Sequence, residues 1–105
     1  MIRWLGHPQH FIAAADCFFR LATELDHYII STVGDYRDAD NNIKPVGGGK
    51  DDLFETYVFK KECGLEQKCG CPTITDWAEV EGVRTNTDVA AERMHLHMIK
   101  KYRYK

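Results

Sequence analysis

Three of the four cysteines in this chain fall within nine residues, at Cys63, Cys69 and Cys71 of ECGLEQKCGCP. Thiols that close together raise two chemistries, zinc coordination and disulfide formation. Structural zinc takes four ligands, usually as paired C-x2-4-C knuckles. Here the spacing is Cys63-x5-Cys69-x-Cys71, with no second pair. A fourth ligand would have to be Cys17 or a histidine near the C-terminus. His95 and His97 are two residues apart, so a helix points them to different faces and at most one could join. The spacing predicts a tight turn of small residues, with zinc on Cys63, Cys69 and Cys71 as the alternative. A reducing compartment disfavours the disulfide.

Polar residues set inside strand-like segments are the next candidates. In LFETYVFKK (Leu53 to Lys61), period two places Leu53, Glu55, Tyr57 and Phe59 on one face and Phe54, Thr56 and Val58 on the other. Glu55 is then a carboxylate between an aliphatic and an aromatic residue. Buried without a partner it would be costly, so it calls for Arg20, Arg84, a backbone donor or a ligand. Ser31 and Thr32 interrupt the apolar run HYIISTVGDY, one on each face. His95 reads as a histidine at the edge of a helix core, or as a ligand-facing one. The segment PVGGGKDD has glycines and Lys50 but lacks the GxxxxGK[ST] spacing and the strand-to-helix setting of a phosphate loop. It is expected to be a flap closing over something anionic, with Lys50 as its charge. No nucleophile is paired with a base by any motif, Cys17 being an isolated thiol, so no catalytic residue and no cofactor is assigned.

The elements that must hold these residues follow from pattern. Pro8 can open a short N-terminal helix over His10 to Asp16. Cys17 to Thr23 fits either a continuation of that helix or a strand. His27 to Tyr36 is dense in β-branched and aromatic residues and ends at Gly34, which reads as a strand. Arg37 to Asp52 is expected to be a long loop. Leu53 to Lys61 is the second secure strand, and Val80 to Arg84 a shorter one. Thr87 is a candidate N-cap for a final helix, Asp88 to Tyr102, with lysines in its last turn. On that helix Ala91, Met94, Met98 and Tyr102 make the expected core stripe, with Ala90 and His95 at its edges. Val89 and Leu96 fall on the opposite side and point to an oligomer contact.

Composition bounds the rest. The chain has 105 residues, enough for one domain with a small core. Its formal net charge of -2 gives no support for a nucleic-acid binder. No segment approaches the roughly 20 apolar residues of a membrane span, and the N-terminus lacks an apolar signal-peptide core. A cytoplasmic location is expected.

Four segments together carry a family resemblance: ISTVGDY (Ile30 to Tyr36), FETYVF (Phe54 to Phe59), CGCP (Cys69 to Pro72) and T-x3-A-x3-H-x2-M-I (Thr87 to Ile99). Their order resembles small uncharacterised proteins of bacteriophages and prophages. Those carry a STVG-[DE]-[YW] segment, a [YF]-ETMVF strand, a Cys/Gly-rich turn and a helix with a Gly-His pair. In this chain Tyr57 stands where those proteins have methionine, and Met94 where they have glycine before the histidine. The segment CFFRLAT is similar to theirs as well, and the resemblance implies that it is the first arm of a hairpin. It also implies a phage accessory protein acting in the cytoplasm of the infected host.

The expected fold is α+β, an antiparallel sheet of three or four strands with the C-terminal helix packed on one face and a short N-terminal helix. The expected function is non-enzymatic binding of a small anionic ligand, such as a nucleotide-derived host defence signal. Arg20, Ser31, Thr32, Lys50, Glu55, Arg84 and His95 are the candidate ligand-binding residues. The alternative is an inhibitor or structural adaptor that binds a host protein.

Overall fold

The fold, seen in a computed structural model, is described for residues 3–4, 20–37, 39–44, 53–66, 72–73 and 78–105. At 3–4, 20, 36–37, 62–66 and 72–73 the description is of the backbone path. The elements in chain order are β1 (Arg3–Trp4), β2 (Arg20–Glu24), β3 (Tyr28–Val33), β4 (Tyr36–Arg37), β5 (Ile43–Lys44), β6 (Phe54–Lys60), β7 (Glu62–Glu66), β8 (Pro72–Thr73), β9 (Glu81–Thr85) and α1 (Asp88–Tyr102).

Four of these strands, β2, β3, β6 and β9, form an antiparallel sheet in that order, with the two-residue β1 paired to the outer edge of β2. Helix α1 packs on β3, β6 and β9. The architecture is the expected α+β. The segment before the STVG strand is a hairpin arm at residues 20–24, closed by the Leu25 N–H donating to the Tyr28 carbonyl at 2.8 Å.

Why β3 and β6 sit at the centre follows from their residues. Both are rich in β-branched and aromatic side chains, and both are buried on the two faces of the sheet. Toward α1 the core is Leu25, Ile30 and Val58 meeting Met98 and Tyr102, with Tyr28, Val83, Met94 and Ile99 half-buried around it. On the other face Ala22, Ile29, Val33 and Phe59 are buried. The edge strand β9 alternates half-buried and exposed residues.

The helix starts where Thr87 caps it. Thr87 Oγ1 accepts the Ala90 N–H at 3.0 Å, and Asp88 Oδ1 accepts the Val89 N–H at 2.9 Å. Its C-terminal end is tied to β9 by a shared acceptor: Lys101 Nζ and the Tyr102 hydroxyl both donate to Glu81 Oε1, at 2.7 and 2.6 Å. That acceptance, with burial, pushes the Tyr102 phenol up to about 12, so it remains a donor at any physiological pH. Tyr28 packs edge-on against the same ring, at 4.9 Å between centroids.

Four expectations change. The helix core stripe runs through Ala91, His95, Met98 and Tyr102. His95 is thus central rather than at the edge, and Met94 is half-buried beside it. The span from Arg37 to Asp52 is not a bare loop, because β4 and β5 pair across a turn in which Asn41 adopts φ 67°. Asparagine tolerates that left-handed geometry better than most residues. Cys63 lies in a strand, β7, paired with β8, rather than in a tight turn. The third strand of the pattern is Glu81 to Thr85, one residue later than Val80 to Arg84. The expected N-terminal helix at His10 to Asp16 and the residues Lys50, Cys69 and Cys71 lie outside the described residues. No helix among the described residues is long and apolar enough to cross a membrane.

Candidate functional site

Strand alternation divides the polar candidates between two faces of one sheet. Thr32 and Thr56 are direct cross-strand partners, and Thr23 lies on the neighbouring strand β2. All three hydroxyls meet beneath α1, where His95 joins them. Its Nε2 lies 2.9 Å from Thr23 Oγ1, its Nδ1 lies 2.8 Å from Thr32 Oγ1, and Thr32 Oγ1 lies 2.8 Å from Thr56 Oγ1. None of the four is more than 1 % exposed. Burial pushes the His95 imidazole down to about 4, so it is neutral at neutral pH. A neutral ring donates from one nitrogen and accepts at the other, and threonine hydroxyls can take either role. The chain of hydrogen bonds therefore closes with either tautomer. These groups satisfy one another and present no polar atom outward.

The opposite face carries a different set. Glu55 is the Cα partner of Arg84 on β9 and of Val33 on β3, and Val33 in turn pairs with Arg20 on β2. Both arginines thus lie on the cross-strand row of the buried carboxylate. The Tyr57 hydroxyl donates to Glu55 Oε2. Burial first, and then that bond, raise the Tyr57 phenol, while a hydrogen bond from Arg84 pulls it the other way. The phenol is held protonated between a carboxylate and a guanidinium.

Gly82 makes this arrangement fit. It is the Cα partner of Tyr57, and a Cβ at Gly82 would lie 2.6 and 2.7 Å from ring atoms Cε1 and Cδ1. The absent side chain lets the Tyr57 ring lie against the edge-strand backbone, with its hydroxyl carried to Glu55. Phe59, two residues along on the same face, flanks the ring at 6.0 Å. An open cavity of about 350 Å³ lies over this edge, bordered among the described residues by Tyr57, Glu79, Gly82, Val83 and Arg84.

The sequence candidates therefore separate. Glu55 and Arg84 come together, with Arg20 at the far end of their row by register. Ser31 is buried next to them as the Cα partner of Tyr57. Thr32 and His95 are brought to each other, beneath α1, and not to the arginines. Sequence reasoning passed over Thr23, Tyr57, Glu79 and Gly82. The Tyr57 and Gly82 pairing depends on a register that neither segment reveals by itself. Among the described residues no group of three or more His, Cys, Asp or Glu side chains could hold a metal ion.

No family model, curated protein or solved structure matches this chain.

Proposed function

We propose that this protein is a non-enzymatic binding protein whose ligand site is the β6–β9 edge, at Tyr57, Gly82, Arg84 and Glu79. The observation that carries this reading is the polar row Glu55–Tyr57–Arg84 opening onto a cavity of about 350 Å³. Polar groups fixed on paired strands are preorganised, so a ligand need not order them. Arg84 is exposed and suits a phosphate by charge-assisted hydrogen bonds. Glu79, also exposed, suits the hydroxyls of a sugar. That pairing fits a nucleotide-derived ligand better than a plain inorganic anion, which the Glu79 carboxylate would repel. With the phage resemblance, the role is sequestration of a nucleotide-derived host defence signal in the cytoplasm of an infected bacterium. Catalysis has less support, because His95, buried beneath α1, faces away from this cavity.

The test is calorimetry against cyclic nucleotides and ADP-ribose derivatives, repeated with Arg84→Ala. One member of the panel should bind, and Arg84→Ala should weaken it about tenfold or more, since bonds to charged groups contribute about 1.5–3 kcal/mol. Silence across the panel, with one stoichiometric host protein recovered in a parallel pull-down, would replace this reading by the inhibitor or adaptor.

A further inference from the structure

The outward face of α1 sets exposed aliphatic side chains among cations, with Glu92 at its flank. From Arg93 to Lys105 the chain carries five Lys or Arg residues and no Asp or Glu. The chain as a whole has sixteen Asp and Glu against fourteen Lys and Arg, so its cations are concentrated at this end. Favourable interaction with the helix C-terminus accounts for Lys100, Lys101 and the residues after them. It does not account for Arg93 in mid-helix, nor for two large aliphatics that face water beside it, Val89 at 55 % and Leu96 at 56 % exposed. Val89, Arg93, Leu96 and Lys100 follow each other at steps of four, three and four residues, which is one continuous stripe of the helix. A groove of about 510 Å³ runs over the second half of that stripe, bordered among the described residues by Arg93, Leu96, His97, Ile99 and Lys100.

We infer that this stripe is a docking surface for an acidic, amphipathic segment of another protein. The charge selects the partner: a carboxylate-bearing segment is complementary to Arg93 and Lys100. The aliphatic pair selects the class. Val89 and Leu96 are two helical turns apart, about 10 Å, the spacing at which two apolar side chains of a facing helix can seat. A phosphate backbone would use the cations and leave Leu96 without a role. This surface is on the opposite side of the sheet from the ligand cavity, and the inference stands whether or not that cavity binds a nucleotide.

The experiment uses the full chain and three fluorescent probes: an amphipathic helix of leucine and glutamate of about 20 residues, the same length and charge with serine for leucine, and single-stranded DNA. The leucine peptide should bind, weaken with added salt, and bind at least about tenfold more tightly than the serine peptide or the DNA. Leu96→Asp and, separately, Lys100→Glu should each weaken it about tenfold or more, with melting temperatures unchanged, because both positions are exposed. Equal binding of the two peptides, tighter binding of the DNA, or a Leu96→Asp variant that binds as well as the parent would overturn the inference. So would sedimentation showing a dimer of this chain that Leu96→Asp dissolves, because the stripe would then be covered by a second copy.

Discussion

The two faces of this sheet solve the same problem, a polar group inside a strand, in opposite ways. Under α1 the groups are neutral. One imidazole and three hydroxyls satisfy each other, and the helix closes over them. On the other face the groups are a carboxylate, a phenol and a guanidinium, and the row runs outward to an exposed arginine at an edge strand. A closed neutral network fixes which way the helix sits, because few other packings would satisfy all its members. A charged row that ends in solvent leaves hydrogen-bonding capacity to be met by something else. The first is therefore architecture, and the second is the face proposed to take a ligand.

That contrast makes graded predictions. The largest effect should come from placing a charge on the closed side. Met98, 1 % exposed, lies one turn beyond His95, and Met98→Asp should unfold the protein. A buried unpaired carboxylate costs several kcal/mol, against roughly 5–10 kcal/mol for a domain of this size. Reversing the charge on the open side, Arg84→Glu, should leave a cooperative melt. Equal melting temperatures for the two variants would show that the closed and open faces have been misassigned.

Acid should act on the closed side next. His95 titrates near 4 in the folded protein against an ordinary 6.5, so between those values the unfolded chain binds a proton that the folded one does not. Stability is then full above pH 6.5 and falls as pH drops toward about 4. The loss approaches roughly 3 kcal/mol, at 1.36 kcal/mol per unit of pKa difference. Urea unfolding at a series of pH values measures this directly. His95→Gln, which still donates and accepts, should flatten the slope across that window while keeping the fold. The Glu81 carboxylate, lowered by Lys101 and then by Tyr102, contributes only further into acid, below its ordinary 4.5.

Removing a single hydroxyl from the closed network is a smaller insult. Thr32→Val keeps the shape but leaves His95 Nδ1 and Thr56 Oγ1 without their common partner. A stranded buried polar atom costs about 1–3 kcal/mol, which for a chain of this size lowers the melting point by on the order of 10 °C. Thr32→Ser, which restores the hydroxyl, should recover most of it. A Thr32→Val variant as stable as the parent would mean that the network is not what orients α1.

How far the sequence reveals this arrangement depends on whether the cause is local. The strands at Tyr28–Val33 and Phe54–Lys60 are legible because each segment carries its own β-branched and aromatic pattern. The Thr87 cap and the helix after it are legible for the same reason. The phase of the helix is less so. Counting apolar residues draws the stripe through Met94, and only the hydroxyls of Thr23 and Thr32, 72 and 63 residues away in the chain, make His95 a core residue. The candidate site divides likewise. Glu55 stands out as a carboxylate in an apolar strand, and Arg84 as a possible partner, from the sequence. The fit of Tyr57 against Gly82 depends on a cross-strand register between β6 and β9, and the open cavity depends on β9 being the edge.

The open side should respond in binding more than in stability, and Gly82→Ala separates the two. The new Cβ would lie 2.6 Å from the Tyr57 ring, so the ring must swing away. Tyr57 is half-buried beside the edge strand β9, and it can do so by turning into solvent. The cost is then about 1 kcal/mol, at the low end for overpacking, rather than the larger penalty of a closed core. Swinging the ring also withdraws the hydroxyl from Glu55, and the carboxylate must find Arg84 instead. Tyr57→Phe removes the same hydroxyl without moving the ring. If the hydroxyl is the group that orders the row, both variants should weaken any ligand found by calorimetry, by about tenfold for one lost hydrogen bond with its charged neighbour. If shape alone matters, Gly82→Ala should weaken binding and Tyr57→Phe should not. A ligand that binds both variants like the parent would exclude the β6–β9 edge as its site.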